Sequence, residues 1–328
     1  MRWVVALAAG VALSCGPSGD DDDNRAAAGT GGAGARAGTG GAGAGGAGMA
    51  GRAGTGGSGG AGTSGTAGTS NPDCTGTFGE PVTLFAPPQV AVGSLALRAD
   101  ELELIYNEIP LDDSLPAHFR RSVRASKDAM FPNGEALTPL DAICADSRAR
   151  TGDLTNDGLR FYFICQAEVT DPPNAVHLAR RASLDAPFVV DAATLGVARS
   201  GLAIDSDELM LVTSPEAQGG TLLALPRAST ADPFGTEQPL SGLEGLLTPD
   251  FSSDGRKLYA SLYTDTEHAT LVVAERTGPT AFAPPTVIRA FVDPVATLGS
   301  ATISADCRAL YYVSVAADRT YTVDVLRR

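Results

Sequence analysis

The stretch Thr-Pro-Asp-Phe-Ser-Ser-Asp-Gly-Arg-Lys-Leu-Tyr-Ala-Ser, residues 248–261, decides how the chain folds. A large apolar residue leads into a polar turn at Asp254-Gly255, and an apolar strand follows it. Leu-Thr-Asn-Asp-Gly-Leu-Arg-Phe-Tyr-Phe at 154–163 repeats the pattern. In all, five aspartates hold the turn position: Asp100, Asp157, Asp207, Asp254 and Asp306, spaced 57, 50, 47 and 52 residues apart. Three residues before each stand Leu97, Leu154, Ile204, Phe251 and Ile303, and four after each stand Leu104, Phe161, Leu211, Leu258 and Leu310. The next position carries Ile105, Tyr162, Val212, Tyr259 and Tyr311. Short runs rich in β-branched and aromatic residues, joined by Asp-Gly or Asp-Glu, read as buried strands paired in hairpins. Recurring once per unit, the aspartates read as turn formers whose carboxylates bond local backbone N–H groups. Arg124, Arg181, Arg227, Arg276 and Arg327 close a third strand in each unit, and Phe131, Phe188, Phe234 and Phe282 follow, with Phe78 ahead of the first unit.

A period near 50 residues with four short strands per unit is the signature of a β-propeller, in which neighbouring blades bury what one blade cannot. The 248–261 segment resembles the WD40-like repeat of TolB-type periplasmic proteins. That resemblance covers nearly all of 78–328 and weakens in the first unit, where the turn is Asp-Glu and Asn107 ends the strand. The expectation is an all-β domain over 72–328, a single propeller of five blades with four antiparallel strands each. The last unit stops where every other unit continues to Phe and an outer strand, and Phe78 to Val82 is that missing continuation. The N-terminal strand is therefore expected to complete the last blade. Five cysteines include Cys15, leaving four with three possible pairings. The phase of the repeat puts Cys74 with Cys307 and Cys144 with Cys165, so two disulfides are expected.

Ahead of the domain, Arg2, the apolar run to Leu13 and the small residue before Cys15 form a secretory signal of about 14 residues. Cysteine at that point resembles the lipobox of bacterial lipoproteins, so Cys15 is the expected lipidation site, although Ala12 stands where Leu is usual. Residues 15–71 carry the run Asp20–Asp23 and then almost only Gly, Ala, Thr and Ser; 20 of the chain's 39 glycines lie between Ala26 and Ser70. Such a segment has no apolar surface to offset its ordering entropy, and it reads as a disordered tether. The location expected is exported and lipid-anchored in the cell envelope, at the outer membrane, as a monomer. A net charge of −14 argues against nucleic acid as partner.

Sites of chemistry are sparse. His118, His177 and His268 stand at different offsets within their units, and no metal spacing or nucleophile elbow occurs, so no metal, cofactor or catalytic set is expected. One position stands out. Four residues before the turn come Ala96, Asp153, Ala203, Asp250 and Thr302. Strand alternation puts Asp153 and Asp250 on the face opposite the apolar residue that follows, near the channel that innermost strands line. They are the candidate ligand-binding residues, for a cation or sugar. The leading functional expectation is a non-enzymatic module presenting the propeller to an envelope protein, peptide or glycan. The alternatives are a glycan hydrolase built on these two carboxylates, since five-bladed propellers include furanosidase-like hydrolases, and a purely structural surface protein.

Overall fold

The computed structural model describes residues 74, 76–87, 90–112, 115–145, 147, 149–166, 174–215, 220–263, 269–291, 297–316 and 320–328. The signal segment, Cys15, the tether and His268 lie outside the described residues. Among those described, no helix is long and apolar enough to cross a membrane.

Strand β1 (Val82–Phe85) precedes four complete hairpin sets. Blade 1 is β2 (Val90–Leu97), β3 (Glu103–Pro110), β4 (His118–Val123) and the short β5 (Glu135–Ala136), followed by helix α1 (Thr138–Ile143). Blade 2 is β6 (Ala149–Leu154), β7 (Arg160–Gln166) and β8 (Asn174–Arg180), edged by β9 (Val189–Val190) and β10 (Val197–Ala198). Blade 3 runs β11 (Ser200–Ile204), β12 (Met210–Ser214), β13 (Thr221–Pro226) and β14 (Gln238–Glu244). Blade 4 runs β15 (Leu246–Phe251), β16 (Lys257–Tyr263), β17 (Ala269–Glu275) and β18 (Thr286–Phe291). Blade 5 takes β19 (Thr297–Ile303), β20 (Ala309–Val315) and β21 (Tyr321–Arg327) from the C-terminus and β1 from the N-terminus, in the order β1-β21-β20-β19. The innermost strands β2, β6, β11, β15 and β19 pack in sequence around a closed ring. The five sheets are antiparallel throughout. Closing the ring with strands from both ends ties the termini of the domain to one blade.

The hairpin turn is built the same way five times. The backbone N–H of Glu101, Gly158, Glu208, Gly255 and Cys307 donates to the carbonyl three residues back, at 2.7–2.9 Å. Each of the five has positive φ, between 58° and 72°. Glycine meets that demand without strain, whereas glutamate and cysteine adopt it only where other contacts compensate. Four turn aspartates bond the N–H two residues on: Asp100 to Leu102, Asp157 to Leu159, Asp254 to Arg256 and Asp306 to Arg308.

Both disulfides form: Cys74–Cys307 within blade 5 and Cys144–Cys165, which ties the end of α1 to β7. The repeat arginine of the last unit is Arg328, not Arg327. Arg328 N–H donates to Arg308 O as Arg124 N–H does to Leu102 O, and its guanidinium lies 4.1 Å from the Phe78 ring centre. The same stacking joins Arg124 to Phe131, Arg181 to Phe188 and Arg227 to Phe234. Arg327 is still inside β21, paired with Ala309, so the last unit is one residue longer than a count of basic residues implies.

Candidate functional site: the channel carboxylates

The innermost strands leave a small cavity of about 30 Å³ at the turn end of the ring. Asp153, Asp205 and Asp250 line it, from blades 2, 3 and 4. Over the turns, Asn156 Nδ2 donates across to Ser253 O, and Ser253 Oγ donates to Ala305 O. These bonds tie blade 2 to blade 4 and blade 4 to blade 5. A water needs roughly 10–15 Å³ measured this way, and small-molecule pockets run to about 300 Å³ or more. The space therefore suits a water or two and is far too small for a sugar ring.

The two sequence-selected carboxylates are buried, and both reach the next blade. Asp153 Oδ2 accepts the Ile204 N–H at 2.8 Å, while Oδ1 accepts its own neighbour's, Leu154, at 2.7 Å. Asp250 Oδ2 accepts the Ile303 N–H at 2.7 Å. The position four before the turn in one blade thus clasps the backbone three before the turn in the next. Blades 1 and 3 have Ala96 and Ala203 there and no such clasp. Burial pushes Asp153 up to about 7, with the two N–H donors pulling the other way. Burial, and then the charge of Asp153, hold Asp250 well above the ordinary carboxylate range. The two aspartates therefore sense one another across the ring.

Asp205 was not singled out by its spacing to Asp153 and Asp250. It occupies the position two before the turn, where the other units have Arg98, Thr155, Ser252 and Ser304. Its Oδ1 accepts the Met210 N–H at 2.8 Å, and Arg276 Nη1 stands 3.5 Å from Oδ2. Burial raises it to about 6, assisted by Asp207. An acid at a register position held by hydroxyls in three of the other four units was the available signal. Asp207 itself sits at the turn beside Asp205. Among the described residues no three His, Cys, Asp or Glu side chains gather closely enough to hold a metal. His118 faces Asp141 of α1 at 3.2 Å, and the His177 ring stacks on Phe163, so the two serve separate local contacts.

No family model matches the chain, and no curated protein resembles it. Solved structures do share its fold. The GH43 endo-arabinanase from Bacillus licheniformis superposes with a TM-score of 0.53 at 10% identity, over 75% of this chain and 96% of that one. A GH43 enzyme from Xanthomonas citri complexed with xylotriose gives 0.52 at 14%, over 75% and 89%. TolB from Acinetobacter baumannii gives 0.43 at 11%, over 73% of this chain and 55% of TolB, so the chain spans about half of that protein. At these identities the likeness is one of fold.

Proposed function

We propose that this chain is a cell-envelope lipoprotein whose propeller is a non-enzymatic binding module on a Gly/Ala/Thr-rich tether. One observation carries the reading: both channel aspartates spend oxygens on backbone N–H groups of the next blade, around a space of about 30 Å³. Glycoside hydrolysis needs two carboxyl groups roughly 5–9.5 Å apart with a sugar between them. A carboxylate clasped to the next blade's backbone, beside a space this small, does not meet that requirement. Four of the five turn aspartates are equally committed, each to its own loop. What the fold leaves free are the outer surfaces of the blades, and these are what a tethered propeller presents. The anchor is Cys15, and two disulfides are compatible with an exported protein. The test is retention of the wild-type protein on envelope fractions and polysaccharides, alongside Cys15→Ala. The reading expects membrane association to be lost in that variant and retention on an envelope component to persist. Wild-type protein found wholly in the cytosol would contradict it.

A second reading has one observation in its favour. Asp153, Asp205 and Asp250 all titrate high within one cavity, and raised carboxyls are what a general acid requires. The solved GH43 enzymes share this fold. Under that reading Asp250 is the acid, and its replacement abolishes release of reducing ends from a glycan.

A further inference from the structure

The repeat is interrupted once, between blades 1 and 2. There β5 is cut to two residues, helix α1 is inserted, and the unit length rises to 57. The interruption leaves a groove of about 290 Å³ between β4, β5 and the start of α1 on one side and the loop before Phe188 on the other. We propose that this groove binds a free α-amino acid with an apolar side chain, its carboxylate on Arg121 and its ammonium on Asp185.

Arg121 supplies the anion-binding end. Its Nε donates to Glu103 Oε1 at 2.7 Å, its Nη2 to Leu184 O at 3.1 Å and its Nη1 to Glu135 Oε1 at 3.2 Å. A guanidinium has five N–H groups, so these three bonds leave one on each terminal nitrogen. Glu103 does not neutralise it alone. Arg181 holds both Glu103 oxygens at 2.8 Å, and Arg98 adds a further bond at 2.7 Å before turning to Asp100. Three guanidinium groups meet one buried carboxylate. Arg181 also borders the groove, but its side chain is fully buried and bonds Glu103, Gly158 O and Leu184 O, whereas the Arg121 side chain is 20% exposed and is the cation open to a ligand. Its groove-side partner, Glu135, has a side chain 71% exposed, and a pair screened by water in this way contributes little. A ligand carboxylate displaces it at little cost and gains a planar, two-pronged donor.

The remaining lining fits the rest of the ligand. Asp185, exposed on the blade 2 loop, offers a carboxylate to an ammonium. Pro139, Pro187 and Leu137 make an apolar wall whose two prolines have fixed φ, so little ordering entropy is lost on binding. The Cys144–Cys165 bond fixes the far end of α1, and with it that wall. The volume stands at the lower end of ligand pockets and suits one residue better than a chain. The inference rests on the binding-module reading in one respect, that the ligand is held and not converted. Mass analysis of the ligand after incubation separates the two: conversion would sink that reading and leave the groove standing.

The experiment is a calorimetric or NMR titration of the full protein with L-leucine, N-acetyl-L-leucine and L-leucinamide. The expected result is saturable leucine binding, weakened roughly ten-fold or more when either charged end is blocked. Glu135→Gln, which removes the internal competitor, should tighten leucine; Asp185→Asn should weaken it, and Arg121→Gln should abolish it. Arg121 also braces Glu103, so its variant is read only if its melt shows a folded protein. Glu135 and Asp185 are exposed, and their variants keep the test decisive. Wild-type protein that shows no leucine saturation up to about 10 mM, or leucine binding unchanged in both exposed-site variants, overturns the proposal.

Discussion

The junction of blades 2 and 3 and the junction of blades 1 and 2 hold the same repeat arginine by different means. In the first, Tyr162 of blade 2 donates its hydroxyl to Glu208 at the blade 3 turn at 2.5 Å, and Arg227 donates to that hydroxyl at 2.8 Å. In the second, blade 1 has Ile105 where blade 2 has Tyr162, and Arg181 turns instead to the buried Glu103. The same two arrangements recur at two further junctions. Tyr311 of blade 5 donates to Glu101 of blade 1 and receives Arg124 at 2.8 Å. Blade 3 has Val212, and Arg276 reaches Asp205. At these four junctions the arginine is constant, while its partner is a tyrosine–glutamate pair or a bare carboxylate according to one residue of the preceding blade. Glutamate at a positive-φ turn is tolerated where a tyrosine arrives to meet it. Glycine takes the turn where none does.

The largest effect should come from the carboxylate-type junction. Glu103→Gln leaves Arg98, Arg121 and Arg181 around a neutral side chain, and breaking a buried ion pair from one side costs about 3–5 kcal/mol. A denaturant midpoint compared with that of Glu208→Gln tests the contrast. The Glu208 change should cost less, roughly 1–3 kcal/mol, because the Tyr162 hydroxyl still bonds an amide oxygen and the close cation it loses, Arg160 at 2.7 Å, is partly exposed. Equal losses would erase the distinction between the two junctions.

The tyrosine-type junction contains its own control. At the blade 4 to blade 5 junction, Cys307 takes the turn position in place of glutamate, being spent on the disulfide to Cys74. The Tyr259 hydroxyl is buried with no well-formed hydrogen bond among the described residues; burial raises it, and Arg328 beside it pulls the other way through its charge and a loose side-chain contact. Tyr311→Phe should therefore cost about 1–3 kcal/mol, by taking one buried hydrogen bond from each of Glu101 and Arg124, which keep Lys127 and the carbonyls of Glu101 and Ala129 as partners, whereas Tyr259→Phe should cost less. Thermal melts of the two variants decide it.

Smaller, and opposite in sign, are the pH effects of the two kinds of carboxylate. Burial alone would raise Glu103, yet the bonds from Arg181 and Arg121 outweigh it and hold it below its ordinary value. Its contribution to stability is present above the unfolded value near 4.5 and is lost as pH falls through the lower folded value. Asp153, Asp205 and Asp250 are raised, so the folded state binds the extra protons. Their contribution is fullest below the unfolded value of 3.8 and declines as pH rises through about 6 and about 7. Asp250→Asn should flatten the loss of melting temperature as pH rises above the ordinary carboxylate range. An unchanged slope would mean that Asp250 is ionised at no cost.

Much of this architecture was legible because a repeat compares a chain with itself. The five turns, the N-terminal strand in the last blade and both cysteine pairings follow from phase alone. The partner switch was legible in principle. Tyr162 precedes Glu208 by one blade, and Tyr311 precedes Glu101 around the ring, but Asp-Glu at the first turn reads locally as a decayed repeat. Only ring closure reveals that its neighbour is the last blade. Arg328 was displaced to Arg327 because two adjacent arginines look alike without a backbone register. Helix α1 carries one buried residue, Leu140, in six, too little periodicity to stand out from a loop. Spacing also brought out Asp153 and Asp250 but not their use. Whether a strand-end carboxylate faces solvent or the next blade's N–H depends on the width of the channel, which the sequence does not encode locally.

The most direct test of the central claim, that the channel carboxylates hold blades together and perform no chemistry, is a turnover assay. Wild type, Asp153→Asn and Asp250→Asn are incubated with arabinan, xylan and envelope polysaccharides, and reducing ends are measured. The account predicts no release by any of the three, with differences among them only in stability. Release by the wild type that disappears in Asp250→Asn would contradict it and make the channel an active site.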